Sequence, residues 1–392
     1  MPLTLENSRR GCPVLVPYGL FWVFVVLFTR LEPELALAAQ GLCCSDCQED
    51  IPLPVLRLSL ALLLVLSSQL AHARDYRYSD AHLHYVDFFQ ESAGMTELLE
   101  QMAAGNIDHV MLSGIPVAKK WDEDEPKRPR YYAGDDANAY WYSATDVLVA
   151  HAYKQVPAEQ RKRLHPFLSG FNPNDKNADA HIRRMLELAP GLWQGIGEVF
   201  TRHDDLTALI HGDAPRANNE ALARVFHLAA EYDLPVMLHS NITSKRERNP
   251  LYLQEIEDPL RNHPHVRFIW AHAGTSKEIH RHQQKLDFLL PTLERMLKQY
   301  PNLYIDLSWT MLQPYLLDAD GKPDPEWLRL VSSYPARFML GSDVVGRFES
   351  LGEYLSGFAP FLDALPADVA QQVARDNFLA VLPRKVQAEL AE

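Results

Sequence analysis

From Arg77 onward the chain repeats one alternation eight times: a short run rich in β-branched or aromatic residues, then a longer polar or amphipathic stretch. The runs are Tyr78–His84, Ile107–Gly114, His165–Phe171, Gln194–Phe200, Pro235–Ser240, Val266–Ala273, Leu303–Ser308 and Phe338–Val344. Between them lie segments with helical apolar spacing, among them Met95–Ala104, Ala178–Leu188, Asn219–Tyr232, Leu286–Gln299 and Glu326–Ser333. A strand that pairs in parallel with the next needs such a crossover, so the pattern predicts an α/β chain folded as a (β/α)8 TIM barrel. A doubly wound open sheet is the competitor, but it wants a glycine-rich phosphate turn after its first strand, and none follows Tyr78–His84.

Residues 74–392 are ample for one barrel of about 250 residues with insertions, and they are expected to form a single domain. Residues 1–73 differ in kind. Arg57 precedes the apolar run Leu58 to Leu66, and small and polar residues lead to Ala71-His72-Ala73. This is the order of a cleavable secretory signal, predicting cleavage after Ala73, a periplasmic or secreted protein and no stable membrane association afterwards. A buried core helix is the plainer alternative. A second apolar run, Val14 to Phe28, raises a membrane anchor; a start near Leu53 or Val55 accounts more simply for an internal signal, so that residues 1–52 are an over-extended start.

The net charge of −13 argues against nucleic acid as a partner, which would want a basic face. All four cysteines, Cys12, Cys43, Cys44 and Cys47, precede residue 74, so the barrel has no thiol nucleophile and no disulfide. Cys43, Cys44 and Cys47 are half of a zinc knuckle with no second half.

Chemistry concentrates where the strands end. His82 and His84, in Asp80-Ala81-His82-Leu83-His84, are two apart and so face one way from a strand. His239 closes Pro235–Ser240, His272 lies in Ile269-Trp270-Ala271-His272-Ala273-Gly274, and Asp343 lies in Leu340-Gly341-Ser342-Asp343. A barrel gathers all those strand ends at one mouth, so residues far apart in sequence converge. Such a His/Asp set with an open position suits Zn2+, and Mn2+ is tolerated. Glu198, closing Gln194–Phe200, is a candidate second-metal or substrate-orienting residue, and Asp306 a supporting or wall residue. The connections Ile115–Tyr142 and that containing Lys245, Arg246 and Arg248 are candidate substrate walls, with Arg246 and Arg248 as substrate contacts. Trp270 is read as packing, and His280 and His282 as solvated.

These residues resemble the amidohydrolase superfamily, and within it the amidohydrolase-related (amidohydrolase 2) family of hydrolases and non-oxidative decarboxylases. The resemblance runs from about residue 78 to 382 and closes on Asp376-Asn377-Phe378. It implies that His82, His84, His239 and Asp343 hold the metal and that His272 acts on substrate or shuttles protons. In TatD-like nucleases of the same superfamily a glutamate after a similar strand bridges two ions, which would give Glu198 that role; one ion is favoured from the closer family. The expected function is a metal-dependent hydrolase of an amide, ester or lactone in a small organic molecule, with Asp343 and His272 catalytic. A decarboxylase of the same family is the alternative, and an inert metal- or ligand-binding barrel is a third reading.

Overall fold

The structure is a computed structural model that describes residues 74–119, 138–203 and 206–392. The expectations for residues 1–73, and for most of the Ile115–Tyr142 connection, lie outside the described residues. Eight strands form one parallel sheet in chain order: β1 (Tyr78–Asp80), β2 (Ile107–Leu112), β3 (Leu164–Leu168), β4 (Gly195–Phe200), β5 (Val236–His239), β6 (Phe268–Trp270), β7 (Leu303–Asp306) and β8 (Phe338–Met339). Beyond β1 and β8 the chain leaves regular strand geometry and re-enters it at Leu83–His84 and Val344–Val345, which pair with each other in parallel. That pairing, with Ala81 N donating to Leu340 O at 2.9 Å, joins the first strand to the last and closes the barrel.

The expected first and eighth strands are therefore interrupted, at residues 81–82 and 340–343, and Asp80 supplies the reason. Its buried carboxylate accepts from His82 N at 3.0 Å, Ser342 N at 2.9 Å and Ser342 Oγ at 2.6 Å, pulling both backbones out of the ladder toward one side chain. Gly341 fits there because a Cβ would lie 2.6 Å from that of His82.

Helices fall where the periodicity put them. Met95–Ala104 and Ala178–Leu188 have the expected bounds. Glu220–Glu231 starts at Asn219, whose side chain accepts from Leu222 N, and Pro325–Ser333 starts at Asp324, which accepts from Glu326 N and Trp327 N. The large core lies between these helices and the outward faces of the strands. Trp270 belongs to it, fully buried, with Nε1 donating to Ser240 O at 2.8 Å.

A second apolar cluster fills the barrel itself: Met111, Phe167, Met237, Ile269 and Met339 from five strands, closed below by Phe378, Val381 and Leu382 of the C-terminal region. Inward side chains recur every second residue, so the next layer toward the C-terminal ends falls on Ser113, Ser169, His239 and Asp306. The apolar layer is thus the floor on which the polar site stands. Among the described residues no helix is long and apolar enough to cross a membrane.

Candidate metal centre

Above that floor, buried imidazoles and carboxylates converge. His82 and His84 have ring centroids 5.2 Å apart. Their Nε2 atoms lie 3.3 and 3.1 Å from Glu198 Oε2 and 3.4 and 3.5 Å from Asp343 Oδ1. One donor atom from each of His82, His84, Glu198 and Asp343 falls within 4.8 Å of the other three. Glu198 Oε1 faces the other way, 2.8 Å from His239 Nδ1 and 3.8 Å from His272 Nε2, and Glu198, His239 and His272 form a second such group. Of the four expected ligands, His82, His84 and Asp343 thus gather with Glu198, while His239 lies on the far side of that glutamate beside His272.

Each imidazole is aimed by a partner on its other nitrogen. His82 Nδ1 donates to Asp306 Oδ2 at 2.8 Å, and His84 Nδ1 to Gly114 O at 3.0 Å. Those bonds leave each Nε2 as a lone pair turned inward, the arrangement by which outer groups orient metal-binding histidines. Asp306, expected as a supporting or wall residue, is fully buried behind His82 and supports it. Glu198 reaches the centre because Gly197 lets β4 press on β5: a Cβ there would stand 2.5 Å from Met237 O.

The electrostatics are those of a cation site. Burial works against charge on His84, yet the Asp343 and Glu198 carboxylates outweigh it and hold the imidazole up at about 9. His82 is likewise held well above its ordinary value, against burial, by Glu198, Asp343 and Asp306. Burial would raise Glu198 and Asp306, but the surrounding imidazoles keep both low and ionised. His272 goes down to about 4 because burial, helped by His82 and His239, prevails over Asp343. His82 Nε2 is buried with no hydrogen-bond partner, so a donor atom points at carboxylate oxygens that a proton or a metal ion must neutralise. The His/carboxylate donor set fits a divalent metal.

Two residues escaped the sequence reading. His203, three past the end of β4, is buried and stacks on His239 at 4.0 Å between centroids; burial and the neighbouring imidazoles push its pKa well down. Ser308, two past Asp306, touches both Asp306 and His272. Scanning the residues just beyond each strand for any polar side chain would have found both. Trp309 sets its ring edge-on to His272 at 5.1 Å. Arg246 and Arg248 are exposed, on the turn that Thr243 Oγ1 closes by donating to Glu247 O. Of the helix pair after β6, His282 is exposed, as expected, and His280 is half-buried. Surface grooves of about 450 and 410 Å³ elsewhere are lined by none of the converging residues.

No curated protein matches the chain. Among solved structures it is similar to a zinc-bound amidohydrolase from Burkholderia multivorans, at TM-score 0.48 and 14% identity over 78% of this chain and 98% of that one. It is similar to dihydroorotase from Campylobacter jejuni, at TM-score 0.46 and 17% identity over 78% and 82%. It is also similar to 5-carboxyvanillate decarboxylase from Sphingomonas paucimobilis, at 0.42 and 16% over 73% and 82%. The amidohydrolase family profile matches residues 79–384, which takes in every residue of the centre. The chain belongs to the amidohydrolase family and is an enzyme of the amidohydrolase superfamily.

Proposed function

We propose that this amidohydrolase is a divalent-metal-dependent hydrolase that cleaves an amide, ester or lactone bond in a small organic substrate. The observation that carries the reading is the four-donor group His82, His84, Glu198 and Asp343, with His82 Nε2 buried and unpartnered at its centre. A bound ion, Zn2+ by preference for such ligands, supplies Lewis acidity that brings a water's pKa down toward about 7 and polarises a carbonyl.

The chain's own residues move the proton. Asp343 is the carboxylate of the group that reaches solvent, its side chain 14% exposed against 3% for Glu198, so it is the one placed to meet water and substrate together. As water oxygen bonds to the carbonyl carbon, its proton passes to Asp343. Its Oδ2 lies 3.7 Å from His272 Nε2, which takes the proton and gives it to the leaving nitrogen or oxygen as that bond breaks. Trp309 walls the approach to His272, and exposed Arg246 and Arg248 are kept as substrate contacts at the rim.

The resemblance to the closer family favours one ion. Glu198 favours two, since its oxygens address opposite groups, Oε2 with His82 and His84 and Oε1 with His239. Mn2+ is compatible with the same donors. Export stays part of the proposal through the signal ending at Ala73, so the mature chain from its native host is expected to begin at Arg74; a mass spectrum with residues 55–73 attached would refute it.

The test joins metal analysis to a turnover screen on lactones, acylated amines and hydroxybenzoates. Hydrolysis is expected, and Asp343→Asn should keep its fold and at least part of its metal while losing about 100- to 10,000-fold in rate. Release of CO2 from a hydroxybenzoate without hydrolysis would transfer the enzyme to the decarboxylases. Stoichiometric metal with no turnover would leave an inert barrel.

A further inference from the structure

We propose that Ser308 is a positioning residue that fixes the tautomer of His272 and, through Asp306, ties it to the orientation of His82. Protons decide the arrangement. A serine hydroxyl has one, and Ser308 Oγ contacts both Asp306 Oδ2 and His272 Nδ1, the latter at 2.8 Å. A carboxylate oxygen only accepts, so the hydroxyl proton goes to Asp306. The contact to His272 forms a hydrogen bond only if His272 Nδ1 carries a proton and donates it to the serine oxygen; the third neighbour of that oxygen, His82 Nδ1 at 3.3 Å, is likewise a donor. His82 Nδ1 donates to the same Asp306 Oδ2 at 2.8 Å.

The opposite tautomer of His272 would set two lone pairs against each other at that distance, in a place where Ser308, Asp306 and His272 are at most 1% exposed. A buried acceptor left without a proton forfeits the hydration it would have had in water and is strongly disfavoured. The local frame leaves little slack: Asp306 also accepts from Ser308 N at 3.0 Å and His272 N at 3.3 Å.

The consequence is that β7 and the two residues after it aim two imidazoles at once. His82 and His272, ring planes 16° apart and centroids 4.9 Å apart, both turn their Nε2 atoms toward Glu198 and Asp343. His272 therefore starts as a proton acceptor at Nε2, and Ser308 and Asp306 stand behind the imidazolium it becomes.

Only the affinity arm of the test rests on the proposed metal site, because the tautomer is read without metal. In metal-free protein labelled with 15N-histidine, the His272 signals, assigned by difference with His272→Gln, should show a protonated Nδ1 and a bare Nε2. Ser308→Ala should move the proton to Nε2, and Ser308→Thr, which keeps the hydroxyl, should restore the parental pattern. Zn2+ affinity, measured against a chelator, should fall about 10- to 100-fold in Ser308→Ala and recover in Ser308→Thr, as for other groups that orient a metal-binding histidine. A parent protein with His272 protonated at Nε2, or a Ser308→Ala variant with the parental pattern, overturns the proposal. A parent with that tautomer but no Zn2+ affinity would refute the metal reading and leave Ser308 its role.

Discussion

The barrel holds buried histidines at both ends, and the two sets differ in one respect that separates chemistry from support. On the floor, His165 Nδ1 donates to Gln194 Oε1 at 2.7 Å, and His109 Nδ1 donates to His165 Nε2 at 3.0 Å. Burial, with Arg375 and Arg163 adding to it, takes His109 down to about 4, and burial beside His109 takes His165 down to about 3. At the mouth His82 and His84 are buried at least as deeply, yet they move the other way, His84 to about 9. Burial is common to both ends; what differs is the company, imidazole, amide and the net positive influence of Arg375 and Arg163 below, and carboxylates above. The floor chain needs nothing further, whereas the mouth turns its Nε2 atoms onto buried carboxylates whose charge a proton or a metal ion must neutralise. Buried histidine alone therefore says little about function.

The largest break in that contrast comes from removing the mouth pair. His82→Ala combined with His84→Ala takes two of the four donors from the first group, and metal content should fall to background with turnover lost. Full occupancy in the double variant would put the ion elsewhere and end the comparison. On the floor, His165→Ala should do the reverse. It strands Gln194 Oε1 and opens a hole against the Phe378 ring, 5.4 Å away between centroids, costing about 3 kcal/mol of stability with metal stoichiometry unchanged. Calorimetry and metal analysis on one preparation decide it, and a loss of metal in the folded variant would show the ends to be coupled.

How far the sequence could see follows the same division. The barrel was legible because strand and helix periods are local, and His82, His84, His239, His272 and Asp343 were legible as candidates because each lies at or just beyond the end of an apolar strand run. Their grouping was not. It depends on which oxygen of Glu198 faces which ring, and that is set by the approach of β4 to β5 at Gly197, a contact between distant segments. Asp80, which the sequence reading gave no role, serves as a clamp between β1 and β8, because its partner Ser342 lies across the closure of the barrel. Ser308 and His203 were missed for a simpler reason: polar residues just past a strand carry no period.

Acid and base sharpen the contrast by opposite signs. The folded-state pKa of His109 is depressed, so its contribution is complete above about 6.5, the unfolded value, and is lost as pH falls through about 4, on the order of 3 kcal/mol. That of His84 is raised, so its contribution in metal-free protein is complete below about 6.5 and is lost as pH rises through about 9. A bound ion holds the mouth imidazoles deprotonated, so metal should abolish the alkaline loss and leave the acid one. Thermal unfolding from pH 4 to 10, with and without Zn2+ and beside His109→Gln, reads both. An alkaline loss indifferent to metal, or an acid loss identical in His109→Gln, would contradict the assignment.

The smallest effect is expected at the rim, where Arg246 and Arg248 test whether the mouth's influence extends past its buried donors. Both are exposed, and neither takes part in any of the converging donor groups. Replacing both by Ala should therefore leave metal content and thermal stability at parental values, since surface substitutions of this kind stay within about 0.5 kcal/mol. If they hold an anionic part of the substrate, they bind it alike before and during the reaction. That loss appears in KM and not in kcat. Exposed charge pairs contribute at most about 1 kcal/mol each, so KM for the double variant should rise no more than roughly thirtyfold and the rise should shrink as salt is added. Measuring KM and kcat for the double variant at low and high salt separates the outcomes. An unchanged KM removes both arginines from the substrate wall, and a fall in kcat at constant KM would mean that the rim shapes the reacting geometry itself.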